Sequence, residues 1–459
     1  MVALIFPTLS FPFPPNLGGR EARQSEAGGR EFGGFAHTST ELQHKRRAWF
    51  GGIRSCFYFL LPISFPRHWL PLSQLANAGQ SVASSTWQRA RGVRAGSEAE
   101  PEQTFQHQRT KTTMLIFDGH NDLLSRLHAI GDHSGTSFFR RNSEGHLDLP
   151  RMQEGGFGGG FFAVWLPPQG KGSGFQPMPG GYMIPLPPPL DLPTSQRLAF
   201  AMSATLFKIE AASDGKVQVI RTADQISHCL ASGVVAAILH FEGAEAIDTD
   251  LNALHVFHQA GLRSLGIVWS RPNAFGHGVP IAFPATPNTG PGLTEAGKRL
   301  VRECNQLGIL IDLSHLNEQG FRDVAARSQA PLVATHSNAW ALCKSARNLT
   351  DYQLDAIRDS DGMVGLNFAT IFLRSDGGQT TDTPIETMIR HIDYLVKRLG
   401  PTRVGFGSDF DGAAVPQAIG DAAGLPNLIE ALRQHGYNDE LLQNLAHKNW
   451  VRVMQLTMK

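Results

Sequence analysis

Residues 114–124 read MLIFDGHNDLL. Met114, Leu115, Ile116 and Phe117 form a short apolar run. It ends abruptly in Asp118-Gly119-His120-Asn121-Asp122. A buried strand that stops in a polar cluster has this pattern. His120 and Asp122 are two residues apart, so an extended backbone points both side chains the same way. Together they can chelate one metal ion.

Working outward, similar strand-like runs recur at 160–166, 235–241, 263–269, 309–313, 332–335, 363–367 and 404–407, with the first at 115–118. Helical stretches fit between several of them. Over 294–306 and 386–399 the apolar residues fall at helical spacing: Leu300 and Val301 in the first, with Leu307 just beyond it, and Met388, Ile389, Ile392, Leu395, Val396 and Leu399 in the second. Eight β/α units predict an α/β fold, a (β/α)8 TIM-type barrel. A doubly wound sheet is the alternative. The 155–191 stretch, with GGFGGGFF and PLPPPLD, predicts one strand and then a long loop. Its glycines enter a strand instead of opening a helix, which argues against a dinucleotide fingerprint.

The strand ends carry the chemistry. They read His240-Phe241-Glu242-Gly243, Asp312-Leu313-Ser314-His315, Thr335-His336-Ser337 and Gly407-Ser408-Asp409-Phe410-Asp411-Gly412. A barrel brings these ends to one face, the C-terminal one. A lone His after a strand is usually structural. Five ends bearing His, Asp or Glu in register are hard to assign to chance. Imidazoles with carboxylates suit Zn²⁺ or a similar ion. This many donors exceed one tetrahedral site and suit a binuclear site, with metals ~3.5–4 Å apart that acidify a shared water.

Composition narrows the rest. The chain has 459 residues, a formal charge of +1 and 41% hydrophobic residues. That balance, with no basic helix or aromatic-interleaved basic patch, excludes a nucleic-acid binder. No apolar run approaches the ~18 residues of a membrane span. Cys56, Cys229, Cys304 and Cys343 are scattered, which disfavours a disulfide scaffold or thiolate zinc module. Residues 1–113 carry a balance of +6 and lack periodicity, whereas 114–459 carry −5. The first segment is expected to be a disordered leader or a misassigned extension, the second a single barrel domain beginning at Met114. Its apolar stretch CFYFLLPISF lies too far from Met1 for a signal peptide. A start at Met114 implies a cytoplasmic enzyme.

The segments FDGHNDLL, HFEGAEAI, DLSHLN, THSNAWALCKSARNLTD and GFGSDFDG resemble the membrane (renal) dipeptidase family of zinc peptidases. The resemblance runs from Met114 to about Leu456. It implies two Zn²⁺ ions, one held by His120 and Asp122, the other by His315 and His336, with Glu242 bridging both. It implies that Arg347 holds the carboxylate of a dipeptide, beside Asn348, and that Asp409 moves protons. A D-residue at the C-terminal position would be tolerated. A homodimer is also implied.

One departure concerns the family's His after strand four, which contacts the scissile carbonyl. Here 267–278 reads IVWSRPNAFGHG, with no His at the matching place. His277, Arg271 or Asn273 is expected to substitute, His277 first. Among other histidines, His240 is the reserve ligand, while His128, His133, His255, His258, His391 and His435 read as packing or surface residues. Glu245 is a reserve for Glu242, and Asp411 is expected to brace its loop. The Asn348-Leu349-Thr350 sequon overlaps the RN motif and reads as accidental.

Two other readings compete. A deaminase, lactonase or phosphotriesterase-like barrel hydrolase would commonly show H-x-H and a carbamylated Lys, and H-x-H is absent. A non-catalytic barrel scaffold would not need the whole ligand set.

Overall fold

A computed structural model describes residues 114–170 and 174–458. The expected leader, with Cys56, lies outside the described residues. Eight parallel strands form the centre: β1 (Ile116–Asn121), β2 (Phe157–Trp165), β3 (Val235–Glu242), β4 (Leu262–Gly266), β5 (Leu310–Asp312), β6 (Val333–Ala334), β7 (Met363–Asn367) and β8 (Val404–Gly407). Each pairs with its successor, and β8 returns to β1 with Asp118 opposite Phe406. The sheet therefore closes into a barrel, and the doubly wound alternative is excluded. Strands covered on both faces need continuous apolar runs. β3, VAAILHFE, is buried at every residue.

The helices arise from the expected signals. Helix Glu295–Leu307 starts where the Thr294 side chain accepts from Gly297 N and stops at left-handed Gly308. It buries Leu300, Val301 and Cys304. Helix Ile385–Leu399 buries Met388, Ile389, Ile392, Leu395 and Leu399 on one face. His391 on this face is a fully buried tie: its Nε2 donates to Leu373 O at 2.9 Å, and its Nδ1 accepts from Ala339 N at 3.3 Å.

The N-terminal mouth of the barrel is plugged. Trp450, on helix Asn449–Thr457, is fully buried, and its Nε1 donates to Phe406 O at 3.0 Å. It packs in one cluster with Phe117, Phe161, Ile238, Leu310, Val333 and Met363, the last three of which open their strands. Glycine admits the indole here: a Cβ on Gly119 would lie 2.5 Å from Trp450 Cζ2.

Three features differ from expectation. β4 stops at Gly266, and the following loop is knotted by Asn273, which donates to Ile267 O and accepts from Phe275 N and Gly276 N. A short strand, Val217–Val219, pairs beside the start of β3. The 155–191 stretch is not one strand and a loop. It contains an antiparallel hairpin, Gln176–Met178 with Gly181–Ile184, which pairs with Ile281–Phe283. Strands this short have little intrinsic preference and are held by a distant partner, so the local pattern is silent about them.

Candidate metal centre

The barrel ends bring the expected ligands together. His120 Nε2, near the end of β1, lies 3.5 Å from Asp122 Oδ2 and 3.6 Å from Glu242 Oε2 at the end of β3. His315 follows β5 and His336 follows β6. Their Nε2 atoms are 3.2 Å apart. Glu242 Oε1 is 2.9 Å from the first and 3.5 Å from the second. Asp409, after β8, joins His120 and Asp122 in a cluster whose ligand atoms all lie within 4.8 Å.

Backbone geometry aims these groups. His315 and Asp409 adopt left-handed φ values of 66° and 59°. Such values are uncommon for residues with a Cβ and concentrate at functional sites. Asp409 is pinned there by its own N–H on His120 O, 3.0 Å, and by Asn367 Nδ2 on its Oδ2, 2.9 Å. Asp411 does brace the loop: it accepts from Arg126 Nε at 2.8 Å.

The outer nitrogens of the histidines are also set. Ser270 Oγ lies 2.8 Å from His315 Nδ1. Thr335 Oγ1 donates to Asp312 Oδ2 at 2.6 Å and lies 2.8 Å from His336 Nδ1. The single hydroxyl hydrogen of Thr335 is used on Asp312, so His336 Nδ1 must be the donor and its Nε2 carries a lone pair. Burial, reinforced by the charge of Arg347, pushes both imidazoles well below their ordinary pKa, so both are neutral.

His120 behaves oppositely. Burial pushes its pKa down, but Glu242 and Asp122 outweigh this and raise it to about 10. Burial also raises Glu242 and Asp409. A pocket of buried carboxylates that must protonate a histidine is short of positive charge.

The donors fit divalent ions. Both ring nitrogens of His120, Oδ1 of Asp122 and Nε2 of His240 are buried without a hydrogen-bond partner among the described residues. Buried polar atoms are normally satisfied. Neutral imidazoles aimed at carboxylate oxygens are the donor set of zinc-type sites.

Arg347 stands at the same face. It is buried, and no described carboxylate forms an ion pair with it. Its Nη1 donates to Ser337 Oγ at 2.9 Å and its Nη2 to His336 O at 3.0 Å, while Nε is unpartnered. Its charge is balanced only at longer range, by Asp409, Asp312 and Glu242. Asn348 is buried, with Nδ2 donating to both Cys343 O and Phe372 O at 2.9 Å.

In the loop after β4, Arg271 is fully buried in an ion pair with Glu245, 2.9 Å, and also donates to Leu166 O. Asn273 is taken up by its own loop, and Arg271 is paired with Glu245 and Leu166 O, with its Nη1 buried and without a hydrogen-bond partner among the described residues. Glu245 is likewise committed to Arg271. The His277 carbonyl accepts from Asn317 N at 3.2 Å, and its imidazole has no hydrogen bond among the described residues. His128 and His133 pack on each other away from the cluster, with ring centroids 4.9 Å apart.

Ser270, Asp312, Thr335 and Asn367 were not singled out for roles from the sequence. Two of them sit inside the motifs already quoted, but nothing local distinguishes a Thr that orients a ligand from one that does not.

A profile described as membrane dipeptidase, peptidase family M19, matches residues 105–459. A metallo peptidase from Rhodobacter sphaeroides, solved with a phosphinate mimic of the dipeptide L-Ala-D-Ala, superposes with a TM-score of 0.72 at 52% identity, covering 75% of this chain and 99% of that one. An uncharacterized protein from the pqqA 5′ region of Klebsiella pneumoniae is 48% identical over 252 residues, 55% of this chain and 93% of its own. Dipeptidase tcpJ of Claviceps purpurea (strain 20.1) is 28% identical over 342 residues, 74% of this chain and 76% of its own. No described helix is long and apolar enough to cross a membrane. The barrel, the cluster at its C-terminal face and the span of the family match lead to one conclusion: the chain belongs to the membrane dipeptidase family, peptidase family M19.

Proposed function

We propose that this chain is a two-zinc dipeptidase that hydrolyses L-L and L-D dipeptides. The observation that carries the reading is Arg347, a buried cation with no contacting counter-charge beside a cluster of metal-ligand type. A buried cation without a partner is costly, and a substrate carboxylate relieves that cost. A planar guanidinium with a free Nε suits a carboxylate better than a Lys ammonium does. The relative solved with a dipeptide mimic supports the same substrate class.

In this reading His120 and Asp122 would hold one ion, His315 and His336 the other, and Glu242 would serve as a ligand to both. The ions would supply Lewis acidity toward the scissile carbonyl and an acidified water. The remaining work falls to the chain. Arg347 fixes the C-terminal carboxylate, which restricts substrates to short peptides and orients the peptide bond. Asp409 takes the proton of the attacking water on its carboxylate and returns it to the leaving amine. Asn367 holds Asp409 Oδ2 in place, leaving Oδ1 for that transfer. His277, whose imidazole is uncommitted, is the candidate for the carbonyl contact. Asn348 supports the Arg347 loop, since its donors are already engaged.

The test is hydrolysis of an L-L and L-D dipeptide panel by the metal-free and Zn²⁺-loaded chain, beside Asp409→Asn and Arg347→Ala. Zinc-dependent cleavage with two bound ions, crippled by both substitutions, is expected. A folded, two-metal protein that cleaves esters or purines but no dipeptide would overturn the reading. The homodimer implied by family resemblance is tested by light scattering of the same preparation.

A further inference from the structure

We propose that His240 is a positioning residue for the metal centre, forming with Asp312 and one trapped water a buried polar node beneath His120 and His336. The inference rests on the two-metal reading above.

His240 precedes Glu242 by two residues on β3, so both side chains point to the same side of the strand. It lies one layer closer to the N-terminal ends and is fully buried. Ser264 on β4 holds its Nδ1, 2.9 Å from Oγ. The other nitrogen, Nε2, has no hydrogen-bond partner among the described residues. It lies 3.7 Å from Asp312 Oδ2, too far for a direct hydrogen bond. His120 meets the His240 ring edge-on at 5.4 Å, and His120, His240 and Asp312 each bring a polar atom within 4.8 Å of the others.

Asp312 is the hub of this node. Its Oδ1 accepts from Ser314 N at 3.0 Å and Thr335 N at 2.8 Å, and its Oδ2 from Thr335 Oγ1. It therefore orders the tips of β5 and β6, which carry His315 and His336. A metal-ligating histidine needs a partner on its outer nitrogen to fix the ring. Ser270 and Thr335 supply this for His315 and His336. His120 has none from the protein, and its Nδ1 is orphaned. A buried water is stable with two to four polar partners, and this site offers three. His240 completes that set.

The experiment compares wild type, His240→Leu, His240→Gln and Ser264→Ala. Zn²⁺ affinity is measured by chelator competition, and thermal melting on the metal-free chain. His240→Leu is expected to weaken zinc binding about 10–100-fold. Its metal-free melting temperature should change little, because removing the orphaned Nε2 offsets the loss of the Ser264 Oγ partner. His240→Gln should recover part of the affinity, and the dipeptide KM should change little. Wild-type zinc affinity in His240→Leu would overturn the proposal. So would a loss matched by lower metal-free stability and not recovered by Gln, which marks a packing residue. If His240→Leu does not fold, Ser264→Ala decides: an affinity loss of about 10-fold supports the node and none overturns it. Failure of wild type to bind zinc strikes the two-metal reading itself, a result distinct from normal wild-type binding with an unaffected His240→Leu.

Discussion

Nε2 of His315 and Nε2 of His336 face each other across 3.2 Å, converging from consecutive strand ends on one oxygen of Glu242. Nitrogens from two neutral imidazoles do not gather around a carboxylate oxygen for packing reasons. The arrangement is held from outside by two hydroxyls, and it gives those hydroxyls a measurable role.

Ser270→Ala and Thr335→Val each remove a partner from a histidine Nδ1. Each is expected to lower divalent-ion affinity by about 10-fold while leaving the barrel folded. Thr335→Val should cost more, because Asp312 loses a donor too. Chelator competition gives the affinity, and circular dichroism checks the fold. Unchanged affinity in both would deny the hydroxyls an orienting role.

Metal binding should release protons. In the metal-free chain His120 is protonated up to about pH 10, because Glu242 and Asp122 outweigh its burial. An imidazolium has no lone pair, so each unit rise in pH toward 10 should strengthen binding, approaching tenfold per unit if one proton is displaced. Calorimetry in buffers of different ionisation enthalpy counts the proton. The sign for metal-free stability is the reverse. The His120 pKa is raised on folding, so its contribution is full below the unfolded value of 6.5 and is lost as pH rises through about 10.

Arg347→Lys keeps the charge but loses the fork, and Arg347→Ala loses both. The Ala variant should lose about 3 kcal/mol of transition-state binding, on the order of a hundredfold in kcat/KM on dipeptides. Lys should fall between. Dipeptide amides, which lack the carboxylate, should be cleaved slowly by wild type and variant alike. An equal loss on acid and amide substrates would remove the carboxylate assignment.

Gly412→Ala should impair the site with little effect on the fold. A Cβ there would stand 2.2 Å from Asp122 Oδ2 and 2.6 Å from Asp409 Oδ1. The carboxylates must move apart, so metal affinity and kcat should both fall while melting shifts little. Wild-type metal affinity in this variant would show that the carboxylates tolerate displacement.

Trp450→Ala should act on stability instead. It empties the plug of the barrel, and truncating a buried Trp typically costs about 3–5 kcal/mol. Denaturant titration of the metal-loaded chain reads the loss. A change under about 1 kcal/mol would mean the mouth collapses around the gap.

The barrel and the His, Asp and Glu residues that gather at its strand ends were legible in sequence for one reason. Both follow from short-range patterns repeated along the chain. Apolar runs of strand length recur between amphipathic helices, and polar clusters end five of them. Residues 363–367 and 404–407 coincide with β7 and β8, because buried parallel strands need continuous apolar runs. Where the support is a distant partner, the pattern was silent. The hairpin Gln176–Ile184 is held by Ile281–Phe283, and β4 ends early because Asn273 ties the following loop. Arg271, Asn273 and His277 were all candidates in sequence, His277 first. Only the fold commits the first two to Glu245 and to loop carbonyls.

The sequence by itself determined the fold class, the family resemblance and which side chains stand at the catalytic face, since these depend on periodicity and spacing along one chain. The tertiary structure alone decided how those side chains are charged and held. Asp312 reaches Thr335 across two strands, Asn367 reaches Asp409, Ser270 reaches His315, and Arg347 is buried without a contacting counter-ion. These contacts join residues separated by 23 to 45 positions. Their protonation and orientation depend on burial and on neighbours in space, quantities that exist only once the barrel has closed.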